Sequence, residues 1–150
     1  MLENFVIILK GQIMKKLFLT LFILFLGVNV CLATNIYDSY GQKTGSYKNS
    51  NGTITQYDKY GSKTGTIRET SSGYNSYDKY GSKTGSYKTN GSTTTQYDKY
   101  GQKVGSYKTN SSGVTTSYDK YGQKTGSYKK DSSGRITEYD KYGRKVGSYK

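Results

Sequence analysis

From Tyr37 onward the chain says nearly the same thing six times. Aligned on Tyr-Asp, the units begin at Tyr37, Tyr57, Tyr77, Tyr97, Tyr118 and Tyr139, with spacings of 20, 20, 20, 21 and 21 residues. A fixed period in this range marks an array of small supersecondary units that bury their faces on one another, and it outweighs every other signal in the chain. Each unit reads Y-D-[KS]-Y-G-[QSR]-K-[TV]-G-[ST]-[YI]-[KR], followed by a variable polar link and a Thr-rich run into the next tyrosine. The first and second Tyr, the Asp, both Gly and the Lys recur in all six copies.

Two turn signals alternate along the array. In Asp-Lys-Tyr-Gly an aspartate opens and a glycine closes, which suits a type I turn whose glycine takes positive φ, a common three-residue hairpin loop. The second signal is Asn-Gly at Asn51-Gly52 and Asn90-Gly91, or Ser-Ser-Gly ending at Gly73, Gly113 and Gly134. The 21-residue units add their residue in this link, where insertions are tolerated. Between turns lie Thr- and Tyr-rich stretches that favour strands, and nothing after residue 33 has helical periodicity. The sequence therefore predicts an all-β fold of six tandem β-hairpin units. The expected arrangement is a closed ring or flower or a compact meander, with an open solenoid-like ribbon and a disordered chain as the alternatives.

Hydrophobic content bears on that choice. After residue 33 the aliphatic side chains are Ile36, Ile54, Ile67, Val104, Val114, Ile136 and Val146, too few for an ordinary core. All 18 tyrosines lie in the same part, and a buried aromatic ring removes on the order of 150 Å² from water. If the chain folds, tyrosine is its core. Counting alternation outward from a three-residue loop places the first Tyr, the Lys, the second Gly and the third Tyr of each unit on one face. These residues are Tyr57 and Lys63; Tyr77, Lys83 and Tyr87; Tyr97, Lys103, Gly105 and Tyr107; Tyr118, Lys124 and Tyr128; and Tyr139 and Lys145. The opposite face of the unit at Tyr97 carries Asp98, Gln102, Val104 and Ser106 and is mainly polar.

Residues 1–33 differ from the rest. They hold all four phenylalanines, both methionines, every leucine and the single cysteine. Met14-Lys15-Lys16, an apolar run and the small residues Cys31 and Ala33 have the layout of a secretory signal peptide cleaved before Thr34. The stretch before Met14 reads as an early start ahead of the true initiator, or as a longer leader. The 17 residues from Leu17 to Ala33 also leave an uncleaved anchor open. Cleavage would remove Cys31, leaving no disulfide in residues 34–150, and would place the protein in the periplasm, at the cell surface or outside the cell. The whole chain has a net charge of +13, and the leader accounts for three lysines and one glutamate of it, so residues 34–150 carry +11.

The run Gly134 to Gly147, "GRITEYDKYGRKVG", and its sister copies resemble the YD repeats of bacterial Rhs-type surface and toxin-shell proteins. Ile36 to Gly45, with Ile67, is similar to the units of small secreted β-flower proteins. Both resemblances imply strand-turn-strand units, and the second implies a radial ring of hairpins. Choline- and glucan-binding repeats share Y-D-x-x-G, but their ligand-holding tryptophans are missing here.

Reaction chemistry is scarce. The chain has no histidine, and residues 34–150 have no cysteine, which excludes imidazole bases, thiol nucleophiles and the common zinc sites. Asp38, Asp58, Asp78, Asp98, Asp119 and Asp140 each stand alone in a turn and are expected to cap it, not to bind calcium. No catalytic, cofactor or metal residue is therefore assigned. The lysine series Lys43, Lys63, Lys83, Lys103, Lys124 and Lys145 has two readings. It keeps a repeat surface soluble, or with the tyrosines it tracks an anionic polymer. For an exported protein an anionic glycan or envelope polymer is the expected partner ahead of nucleic acid. The overall expectation is an exported, non-enzymatic repeat protein with a structural or adhesive role. The alternatives are a glycan or polyanion binding module, and a cationic Tyr-rich chain that orders on a partner.

Overall fold

A computed structural model describes residues 34–150. The leader reading falls on residues 1–33, outside them. Twelve strands follow one another: β1 (Thr34–Asp38), β2 (Lys43–Ser50), β3 (Thr53–Asp58), β4 (Lys63–Thr70), β5 (Gly73–Asp78), β6 (Lys83–Asn90), β7 (Thr93–Asp98), β8 (Lys103–Thr109), β9 (Thr115–Asp119), β10 (Lys124–Lys130), β11 (Ile136–Asp140) and β12 (Lys145–Tyr149). Each pairs antiparallel with its sequence neighbours, and β1 pairs with β12, so the meander closes into a barrel. The chain thus takes the closed arrangement, not the open ribbon.

Local chemistry builds the hairpins as expected. In the second unit the Gly61 amide donates to the Asp58 carbonyl at 3.1 Å, and the Asp58 amide donates to the Ser62 carbonyl at 2.9 Å. Gly61 sits at φ 85°, a left-handed conformation that disfavours residues with a Cβ. The Asp58 carboxylate accepts from the Tyr60 and Ser62 amides, both at 2.9 Å. The same cap recurs at Asp38, Asp78, Asp98, Asp119 and Asp140. At the opposite end, two-residue loops such as Asn51-Gly52 join β2 to β3, with both residues at positive φ. In the longer units Asn110 and Asp131 rebuild the three-residue loop there, which absorbs the extra residue without shifting the strands.

The strand faces depart from simple alternation. Tyr57 pairs with Lys63, but Gln56 pairs with Gly65, so Thr64 is an extra residue, a β-bulge. The same shift occurs between each first tyrosine and the lysine across its hairpin. Alternation allots one residue per rung, and the bulge breaks that count. The expectation that Tyr97, Lys103, Gly105 and Tyr107 share a face is therefore overturned: Tyr97 and Lys103 point outward, while Gly105 and Tyr107 point inward. Ser106, expected on the face away from Tyr97, lies on the outer wall directly opposite Tyr118.

The core is the third-tyrosine position. Tyr47, Ile67, Tyr87, Tyr107, Tyr128 and Tyr149 are buried, with Ile67 0% and Tyr87 1% exposed. They pair across the sheet with Thr34, Ile54, Tyr74, Thr94, Thr115 and Ile136. A second inner level consists of Ile36, Gln56, Ser76, Gln96, Ser117 and Glu138, each opposite a glycine. The bulge threonines reach this level, with Thr84 Oγ1 3.0 Å from Ser76 Oγ and Thr125 Oγ1 2.9 Å from Ser117 Oγ. The opposing glycines let the next strand come close: a Cβ on Gly85 would sit 2.5 Å from the Tyr97 carbonyl oxygen. That strand contact, not a first-tyrosine ring lying over it, is what requires the second glycine.

Candidate functional site

Register fixes what the outer wall presents. Each first tyrosine faces a lysine directly across its hairpin: Tyr37 with Lys43, Tyr57 with Lys63, Tyr77 with Lys83, Tyr97 with Lys103, Tyr118 with Lys124 and Tyr139 with Lys145. The rings are half-buried and the lysines exposed. On the neighbouring strand, one diagonal step away, stands the cation that follows the third tyrosine. The Arg68 guanidinium lies 5.0 Å from the Tyr77 ring centre and Lys88 Nζ lies 5.8 Å from that of Tyr97. The six residues of this second series, Lys48, Arg68, Lys88, Lys108, Lys129 and Lys150, are all exposed. The wall therefore carries columns of cation, tyrosine and cation. With strands about 4.8 Å apart, successive columns lie about 10 Å apart around the girth.

The residues expected on one ligand face are thus divided. Their five Tyr–Lys pairs come together on the wall. Tyr87, Tyr107 and Tyr128 do not join them, because the bulge carries them into the core, where the Tyr107 and Tyr128 rings lie 6.4 Å apart. Inside, Tyr128 Oη donates to Glu138 Oε1 at 3.2 Å and Tyr149 Oη donates to Glu138 Oε2 at 2.7 Å. Gln96 Nε2 donates to Tyr87 Oη at 3.4 Å. Burial, and secondly the Glu138 carboxylate, push the Tyr128 and Tyr149 phenols well above the usual tyrosine range. Burial raises Tyr87 and Tyr107 as well.

The three-residue loops set a further group of rings apart, as a turn opened by aspartate and closed by glycine implies. The second tyrosines Tyr40, Tyr60, Tyr80, Tyr100, Tyr121 and Tyr142 stand 70% to 89% exposed at the loop tips. Lysine ammonium groups sit over five of these rings, at 4.7 Å in Tyr60 and 4.8 Å in Tyr80, Tyr100, Tyr121 and Tyr142. The signal was present: this turn needs its aspartate and its glycine, yet a tyrosine recurs between them in every copy. The aspartates themselves are committed to their turns. Among the described residues no group of three or more His, Cys, Asp or Glu is placed to hold a metal ion. Hydrogen bonding from the backbone amides of Arg144 and Tyr142 and from the Arg144 guanidinium holds Asp140 below the usual carboxylate range. No family model matches the chain, and no curated protein matches it.

Proposed function

We propose that this is an exported, non-enzymatic repeat protein with an adhesive role at the cell envelope or surface, holding an anionic glycan or envelope polymer against its outer wall. The observation that carries the reading is the directly opposed Tyr–Lys pair repeated around the wall, with a second cation one diagonal step from the same ring. A sugar stacks on the ring while sulfate, phosphate or carboxylate groups meet the ammonium and guanidinium groups on either side. Because the columns recur about every 10 Å, a polymer laid around the girth meets several at once, and avidity comes from repetition without a deep pocket.

The test is binding of a sulfated or carboxylated glycan over a range of ionic strength, beside a variant carrying Lys83→Gln, Lys103→Gln and Lys124→Gln. Affinity is expected to fall steeply from low to moderate salt, and to fall in the variant at fixed salt. Absence of binding at low salt, or binding indifferent to both changes, rejects the wall site and leaves a purely structural role. Tighter binding of single-stranded DNA than of the glycan would reassign the partner.

A further inference from the structure

The six tyrosine tips form one level ring. Asp38 pairs with Gly147 at the closing seam, as Asp58 pairs with Gly45 and Asp98 with Gly85 at other seams, so the register repeats unchanged around the barrel. Identical three-residue loops on an unchanging register bring all six tips to the same height at the end away from Thr34 and Lys150. From this geometry we propose that the crown docks flat on an anionic phospholipid surface, a site that adjoins the polymer-binding wall and shares its uppermost lysines.

Shape and charge select that occupant. A flat partner touches all six tips at once, whereas a linear polymer crossing the ring meets only a few. Tyrosine suits the headgroup level of a bilayer because its ring is apolar and its hydroxyl polar, and flanking lysines meet lipid phosphates. At this end the five tip lysines, the six lysines just below them and Arg144 outnumber the six turn aspartates two to one, and those carboxylates already accept backbone amides. A second copy of the crown would bring like charge against like. Full insertion is disfavoured because exposed cations occupy two levels of the wall, where a spanning barrel needs an apolar band.

Residues 34–150 close the barrel among themselves, so the test uses this segment without the apolar leader. Co-sedimentation is measured with vesicles of phosphatidylcholine alone and of phosphatidylcholine mixed with phosphatidylglycerol. The parent is expected on the anionic vesicles only. Tyr80→Ser, Tyr100→Ser and Tyr121→Ser together should abolish this binding and leave circular dichroism unchanged, since these side chains pack against nothing in the core. Lys79→Gln, Lys99→Gln and Lys120→Gln together should weaken it about a hundredfold, at roughly fivefold per lysine. Wall substitutions at Lys83, Lys103 and Lys124 should weaken it less than the tip lysines do. The proposal is overturned if the parent ignores anionic vesicles, if the tip variants bind as the parent does, or if the wall variant loses more than the tip variants. Glycan binding without vesicle binding would overturn the crown site and leave the wall site standing.

Discussion

Replacing each tyrosine of one unit by alanine separates its three environments. Tyr87 is 1% exposed, on the inner wall opposite Tyr74, and its hydroxyl takes the amide of Gln96 at 3.4 Å. Truncating a buried ring costs about 4 kcal/mol in lost transfer and residual cavity. Leaving the Gln96 amide buried without that partner adds about 1 kcal/mol. Tyr80 is 82% exposed at a tip, where truncation costs under about 0.5 kcal/mol. Tyr77 is half-buried on the outer wall between Thr66 and Lys83, and falls between the two at about 1 to 2 kcal/mol. Against a total stability of roughly 5 to 15 kcal/mol, the first change is severe and the second invisible. Urea unfolding followed by near-ultraviolet circular dichroism measures all three beside the parent. Tyr87→Phe, which keeps the ring and loses the hydroxyl with its Gln96 contact, should recover most of the loss. If Tyr77→Ala proves as damaging as Tyr87→Ala, the two share a core face and the bulge at Thr84 is wrong. If Tyr80→Ala is the worst of the three, the loops, not the inner wall, hold the barrel together.

Gly85→Ala should destabilise although alanine is intrinsically better than glycine in a strand by about 0.5 to 1 kcal/mol, because its Cβ would stand 2.5 Å from the Tyr97 carbonyl oxygen. Overpacking of this kind costs about 1 to 3 kcal/mol, and a neutral or stabilising result in the same urea assay would show that β6 and β7 can separate freely. Alkali should unfold the barrel. Burial raises the folded-state phenol pKa of Tyr87, Tyr107, Tyr128 and Tyr149 above the unfolded value of about 10, so their contribution is complete below about pH 10 and is lost as pH rises beyond it. Phenolate absorbance from these four should appear together with loss of near-ultraviolet dichroism, and ionisation of all 18 tyrosines in a still-folded barrel would contradict their burial.

What could be read in advance was local. The aspartate cap, the left-handed glycine at Gly61 and the home of the extra residue in the 21-residue units are each settled within four or five neighbouring residues, and each was legible. Thr64 was not. In Lys-Thr-Gly it reads as an ordinary strand residue, and only pairing with β3 shows that Thr64 and Gly65 share one rung. That single residue decides which tyrosines become core and which become wall. Tyr97 and Lys103 keep a common face because they lie on the loop side of the bulge. Tyr107 leaves it because it lies beyond. Glu138 was illegible for a related reason: as one acid in a basic chain it looks like a surface charge, and register alone sets it beside the Tyr128 and Tyr149 hydroxyls. The crown was half legible. Its tips could be placed one by one, but their assembly at one height depends on closure, which no single repeat encodes.

Closure also leaves the seams of the molecule unequal. Eleven of the twelve strand seams join neighbours in sequence, so each forms with little loop to close. The twelfth joins Ile36 to Tyr149 and Asp38 to Gly147, and the amides of Asn35 and Lys150 exchange hydrogen bonds at 2.8 and 3.1 Å. Bringing these ends together draws on the freedom of almost the whole array, and only three rungs and that exchange hold them. Of the twelve seams this one therefore carries the largest loop-closure cost for the fewest rungs. The same line is where the finished ring opens most easily, parting between β1 and β12 while every turn stays intact and exposing the tyrosine interior along one edge.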